Sequence, residues 1–462
     1  MNSEQNKTST ILKWNILITI LCCLILLIAL LVASCNSKNQ NTDENKKESG
    51  KELFASVKKF VSLGEHRTGT PGDLETSAWL KSELDSAGFK TEYVEFPLKQ
   101  FFFSDGNLTI GSTVAEVFPV WPVKDDTNLA QTGIVVDGDK LLKPSEVAGT
   151  IVFTRLKHVH GVSTPETVAQ INPFIKAGAL AVLALTENST NEIVALNTFQ
   201  NQSAWAIPVY HFAPKDSALI LQAIVNKTPV SIKIKGNMQA INARNVLGKI
   251  GTGSKFVVVS TPISGWFTTG GERGPGIAVW LELAKWASKN IAQYPDYTFV
   301  FTGHSGHELS ILGAHAFVDN AAPKPEDTKL WIHLGAAVAV REWKEENNKW
   351  VLTDSVDSKR GIYYSASVAD AFEKSFNTIN AKKVKGTEEN KETVKPGGEG
   401  ALFKERGYNN LVSIAHAHRL HHVRTDNEQS TSPELLVELE QALEIFISAQ
   451  LANDDNKLAI IK

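Results

Sequence analysis

The chain has 462 residues, enough for roughly three domains, and its 42% apolar and 21% charged residues exclude wholesale disorder. Lys+Arg (47) and Asp+Glu (50) nearly balance, which excludes a dedicated nucleic-acid binder. All three cysteines, Cys22, Cys23 and Cys35, lie near the N-terminus, so the body can hold neither a disulfide framework nor a thiolate metal cluster.

Residues 16–32 form an apolar run whose one polar member is Thr19. It ends in Val32-Ala33-Ser34-Cys35, two small residues before a cysteine, which resembles the lipobox of bacterial lipoproteins. Residues 1–35 therefore read as a lipoprotein signal peptide, with Cys35 as the lipidated residue, or as a plain anchor helix. Residues 36–52 are polar and read as a flexible tether. Both readings make the protein membrane-anchored and extracytoplasmic.

Thr70-Pro71-Gly72-Asp73 has the form of a helix start, with Thr as cap and Pro at the first position. Apolar residues then recur at helical spacing to Gly88, and residues 91–96 alternate like a strand. Residues 105–235 carry short strand candidates at 133–136, 149–154, 181–185 and 207–210, with one small helical piece at 173–179. This texture predicts a small, separate β-rich module, in which His158 and His160 read as an exposed pair.

From 242 onward strands alternate with helices. Strands are predicted at 256–260, 297–302, 330–334 and 410–414, and helices at 276–288, 308–317 and 432–452, with a long polar loop at 382–400. The fold class is α/β, a mostly parallel mixed sheet sandwiched by helices, with sites expected beyond the carboxyl ends of the strands.

Three segments at those ends carry chemistry. Thr302-Gly-His304-Ser-Gly-His307-Glu308 offers two imidazoles and a carboxylate for a metal; alternatively Ser305-x-x-Glu308 is a capping box. Gly270-Gly-Glu272-Arg-Gly-Pro-Gly276 permits close backbone approach but lacks the spacing of a phosphate loop, and Glu272 can equally be a turn residue paired to Arg273. His416-Ala-His418-Arg-Leu-His421-His422-Val-Arg-Thr-Asp426 can supply metal ligands, with Asp426 orienting them from behind, or form a polar surface loop. His333, in an apolar strand, reads as either a core histidine or a ligand. There is no Gly-x-Ser-x-Gly elbow and no cysteine nucleophile in the body.

The chain resembles the co-catalytic di-zinc exopeptidases, the family of bacterial leucyl aminopeptidases and glutamate carboxypeptidase. The resemblance runs over about residues 53–450, through His66-Arg-Thr-Gly-Thr-Pro-Gly-Asp, Asn242-Ala-Arg-Asn-Val-Leu-Gly, Thr298-Phe-Val-Phe-Thr-Gly and Ser432-Pro-Glu-Leu-Leu. It implies an exopeptidase-like domain from 53–104 and 236–462, and a protease-associated-like insertion at 105–235. Peptides or amino-acid derivatives are the implied substrates.

The active-site motifs diverge. The family's His-x-Asp falls on Thr261-Pro-Ile-Ser264 and is gone. Its bridging aspartate falls on Glu272, its Glu-Glu pair on His307-Glu308, and its last histidine on His422. The next aspartate falls near Gly335, with His333 two residues earlier. The resemblance thus implies Glu272, Glu308, His422 and His333 or His304 as zinc ligands, and His307 as general base. That set leaves room for one zinc rather than two, or for none. A zinc hydrolase, a non-catalytic surface binding relative and a cyclase-like enzyme all remain open.

Overall fold

Runs of β-branched and aromatic residues build the centre of the sheet. In the computed structural model, which describes residues 44, 46–124, 130–140, 142–156, 161–378, 385–388 and 395–461, strands Leu411–Ala415, Thr328–Leu334, Lys255–Pro262 and Tyr297–His304 lie side by side in that order and are parallel. Such strands can be apolar on both sides because both faces are covered. Val257 and Val259 pack with Leu80, Ile277, Trp280 and Leu436, from helices Pro71–Ser86, Gly274–Asn290 and Pro433–Ile461. Val258 and Trp331 face the other way, onto Ala314, Phe317, Leu402 and Phe403 of helices Leu312–Asn320 and Glu399–Glu405.

Beside this centre, strand Val230–Gly251 pairs antiparallel with Tyr297–His304. It also pairs with Lys90–Ile110 from Lys90↔Lys249 to Thr109↔Ser231. This ribbon continues through positions 105 and 235, where the sequence suggested module boundaries, with one shift of register between Phe103 and Asp105. Its far end carries a second parallel group, Val135–Asp137, Ile151–Leu156, Ala181–Thr186 and Val209–Phe212. Helices Pro165–Lys176 and Ser217–Asn226 accompany it, so this module holds more helix than its sequence texture suggested. Residues 53–462 form one compact unit.

The helix expected from 308 begins at Leu312, because Ser310 and Ile311 take left-handed φ of 59° and 51°. Glu308 therefore caps nothing. The stretch read as a loop to 400 ends in the helix Glu399–Glu405. Thr70 precedes its helix without a side-chain cap; Asp73 accepts from the Gly69 N–H at 2.7 Å instead. No helix among the described residues is long and apolar enough to cross a membrane. The 16–32 run, the tether through residue 43, Cys35, His158 and His160 lie outside the described residues.

Candidate metal centre

The carboxyl ends of the four parallel strands deliver the chemistry-bearing loops to one place. The helix that opens at Gly274 approaches the strand ends closely: a Cβ on Gly276 would lie 3.0 Å from Thr261 Oγ1 and 3.2 Å from the Leu334 carbonyl. The turn before that helix is thereby pressed inward, and Glu272 and Arg273 are both fully buried.

Glu272, His421 and His422 converge. Glu272 Oε1 lies 3.4 Å from His422 Nε2 and 3.7 Å from His421 Nδ1, and the three atoms fall within 4.8 Å of one another. All three are buried and without a hydrogen bond, although Glu272 Oε1 also lies 2.9 Å from Arg273 Nη2 as an ion pair. Ligands at about 2.0–2.1 Å around a tetrahedral zinc stand roughly 3.4 Å apart, so the spacing fits such an ion. Three protein ligands leave a fourth position for water or substrate.

The imidazoles are prepared for this role. His422 Nδ1 donates to the Ala195 carbonyl at 2.9 Å, which leaves Nε2 with its lone pair towards Glu272. Burial, with His422 stacked beside it at 3.9 Å, pushes the His421 imidazole well below its ordinary range, so it is neutral. Neutral imidazole is the form that binds a metal. Burial by itself would raise the Glu272 carboxyl. Arg273, then His421 and His422, outweigh burial and hold it well below the ordinary value, as a carboxylate.

Asp426 sits behind Glu272. Its carboxylate accepts from the Gly271 and Glu272 N–H groups at 3.0 and 2.8 Å and from Ser430 Oγ at 2.7 Å. It fixes the turn that carries Glu272 and lies 3.5 Å from His418 Nε2. Burial lowers the His418 imidazole, but Asp426 overcomes this and raises it.

Glu308 stands apart from the trio. Ser264 Oγ donates to its Oε2 at 2.6 Å, and Arg273 Nη2 donates to its Oε1 at 2.9 Å. Ser264 follows the strand Lys255–Pro262, and its carbonyl also accepts from Arg273 Nε at 2.8 Å.

His304, His307 and His333 gather around a different group, the buried Glu399. His304 Nδ1 and His307 Nδ1 donate to its two oxygens at 2.8 and 2.9 Å, and His333 Nδ1 is 3.9 Å away. His333 Nδ1 also meets Ser260 Oγ at 3.0 Å. Burial would raise the Glu399 carboxyl, but His304 and His307 hold it well below the ordinary range. Burial pushes His333 down to about 3, against the pull of Glu399. Of the residues singled out from sequence, then, Glu272 and His422 meet each other. His304, His307 and His333 meet Glu399, and Glu308 meets Arg273.

A cleft of about 540 Å³ opens over both groups. His307, His333 and His421 line its floor, while Val162, Asn197 and Thr198, from the module at the far end of the ribbon, form one wall.

Neither a protein-family model nor a curated protein sequence matches this chain. Solved structures do. A zinc aminopeptidase from Bacillus subtilis superposes with a TM-score of 0.66 at 14% identity, covering 86% of this chain and 94% of that one. A peptidase M28 precursor from Shewanella amazonensis gives 0.62 at 15%, covering 89% and 97%. An aminopeptidase from an Aneurinibacillus strain gives 0.55 at 15%, covering 86% and 93%. The chain has a zinc exopeptidase-like fold. At these identities the likeness establishes the fold alone, and the site must be argued from its own residues.

Two members of the site were missed from sequence. Glu399 lay in a polar stretch read as a loop, and its one local signal is Gly397-Gly398-Glu399-Gly400. His421 was seen only as one of four clustered histidines.

Proposed function

We propose that this protein is a single-zinc hydrolase acting on peptides or amino-acid derivatives, in the manner of an aminopeptidase. The observation that carries this reading is the convergence of Glu272 Oε1, His421 Nδ1 and His422 Nε2, three buried ligand atoms without hydrogen-bond partners beneath an open cleft. A zinc ion held by these residues supplies a Lewis acid at the floor of the cleft.

The chain supplies the rest. His307 has Nδ1 fixed on Glu399, so its Nε2 carries the lone pair and can take a proton from an attacking water. Glu399 plays towards His307 the part of a buried orienting carboxylate, holding one tautomer. Asp426 keeps Glu272 in place, and the wall at 197–198 narrows the cleft from the side of the inserted module.

On the same reading, Cys35 carries a lipid and holds the enzyme on the outer side of a membrane. Incorporation of labelled fatty acid, lost in Cys35→Ala, tests this; equal labelling of the variant would refute it.

A second reading, a surface binding protein without chemistry, is favoured by one observation. The Arg273 guanidinium already sits 2.9 Å from Glu272 Oε1, the oxygen offered to the metal.

Zinc content and hydrolysis separate the two. The detergent-purified chain is offered zinc, dialysed and counted by elemental mass spectrometry, then assayed against a panel of aminoacyl nitroanilides. One zinc per chain, lost in His422→Ala, with turnover that follows the zinc, supports the hydrolase. Less than a tenth of an equivalent with no turnover leaves the binding protein.

A further inference from the structure

Glu272 and Glu308 are both buried, come from different strand ends, and each place an oxygen 2.9 Å from the same nitrogen, Arg273 Nη2. Two carboxylates that converge out of water either share a proton or take a cation between them. Here the chain provides it. The Arg273 guanidinium is fully buried, its Nε donates to the Ser264 carbonyl, and its Nη1 has no hydrogen-bond partner. The group does not reach solvent, and its polar contacts go to the carboxylate pair and to the Ser264 carbonyl beside them.

We propose that Arg273 is a resident cation that takes the place of a second, exchangeable divalent ion, so that this chain accepts one metal where its carboxylates would otherwise seat two. The proposal deepens the single-zinc reading and rests on it for the metal count of the natural protein. A guanidinium is permanently charged and covalently tethered, so it satisfies Glu308 without metal and cannot be exchanged. Its positive charge, placed between the two carboxylates, works against a second divalent ion at that point. Ser264 Oγ completes the arrangement by occupying the other oxygen of Glu308 at 2.6 Å.

The test compares the natural chain with Arg273→Met and with Arg273→Met/Glu308→Gln. Methionine keeps much of the volume and removes the charge; the second change removes the carboxylate left stranded. Each protein is purified with and without zinc, dialysed, counted for zinc, and melted with and without the ion. In Arg273→Met we expect one more zinc per chain than in the natural protein, a lower melting temperature without zinc, and recovery on adding zinc. In the double variant we expect the extra zinc to vanish and the melting temperature to lose its added zinc dependence. An Arg273→Met protein that binds no more zinc than the natural chain would overturn the proposal. So would one that fails to fold with or without zinc while the double variant folds. Should the natural chain bind none and Arg273→Met bind one at Glu308, the single-zinc reading fails while the resident-cation proposal stands.

Discussion

Ala195 and His422 grip each other twice. The Ala195 N–H donates to the His422 carbonyl at 3.1 Å, and the Ala195 carbonyl accepts from His422 Nδ1 at 2.9 Å. Three residues on, Thr198 donates its N–H to the Glu308 carbonyl at 2.8 Å, and between them Asn197 Oδ1 accepts from Trp266 Nε1 at 2.7 Å. The module at the far end of the ribbon is thus wired into the site and sets the tautomer of a candidate ligand.

Gly161 of the same module lies against the His422 ring. It has φ of +67°, and a Cβ there would sit 2.5 Å from His422 Nδ1. Gly161→Ala should therefore push the imidazole off Ala195 and strain the backbone. We expect zinc affinity to fall about 10–100-fold, the range for lost orienting contacts. A zinc titration against a competing chelator measures it; unchanged affinity would mean the ring position is set elsewhere.

Asp426→Ala removes the acceptor for two buried N–H groups, those of Gly271 and Glu272. Each unpaired donor costs about 1–3 kcal/mol, so unfolding in urea should shift by that order. Because the turn carries Glu272, zinc retention should fall with stability. Loss of stability with full zinc retention would confine Asp426 to a structural role.

How much of this was readable in advance depends on how local each cause is. The strand 256–260 and the helix from 276 were legible because burial on every side demands continuous apolar residues. The meeting of Glu272 and His422 was legible only through the resemblance, since 150 residues separate them. Glu399 was hidden for a physical reason: its neighbours in sequence are polar and glycine-rich, and its burial comes from His304 and His307, which no pattern around 399 reveals. Glu308 misled because Ser305-x-x-Glu308 has the spacing of a capping box. Its partner, Arg273, lies on another strand end, and the left-handed Ser310 and Ile311 delay the helix.

Acid should unfold this protein earlier than its carboxylates alone would require. Burial pushes His66, stacked on Phe60 at 3.8 Å, down to about 3, and does the same to His211, with His422 adding to it. Both start from 6.5 in the unfolded chain. Between those values the unfolded chain binds the proton and the folded chain does not. Stability is therefore complete above about pH 6.5 and is lost as pH falls towards 3, on the order of 1.4 kcal/mol per pH unit for each histidine. Melting temperatures taken from pH 8 to 4 in a chelator, so that metal release adds nothing, should be flat and then fall. His66→Gln should reduce the slope; an unchanged slope would show that His66 takes up no proton on unfolding.

Glu399→Gln separates the base from the metal. The carboxylate accepts from His304 Nδ1 and His307 Nδ1, and no oxygen of it belongs to the Glu272, His421, His422 trio. An amide of the same shape keeps one acceptor but turns an NH₂ towards the other ring, so one imidazole must change tautomer or turn away. Leaving one of these buried hydrogen-bonding groups without its partner costs on the order of 1–3 kcal/mol, a loss that denaturant unfolding will show. Because folded Glu399 is held below its ordinary 4.5, the stability it contributes is present above about pH 4.5 and lost below it, so the variant's deficit should shrink in acid. With His307 no longer held in one tautomer, kcat should fall about 10²–10⁴-fold while zinc per chain stays unchanged. A matching loss of zinc would mean that Glu399 supports the metal, and full activity would remove His307 from the role of base.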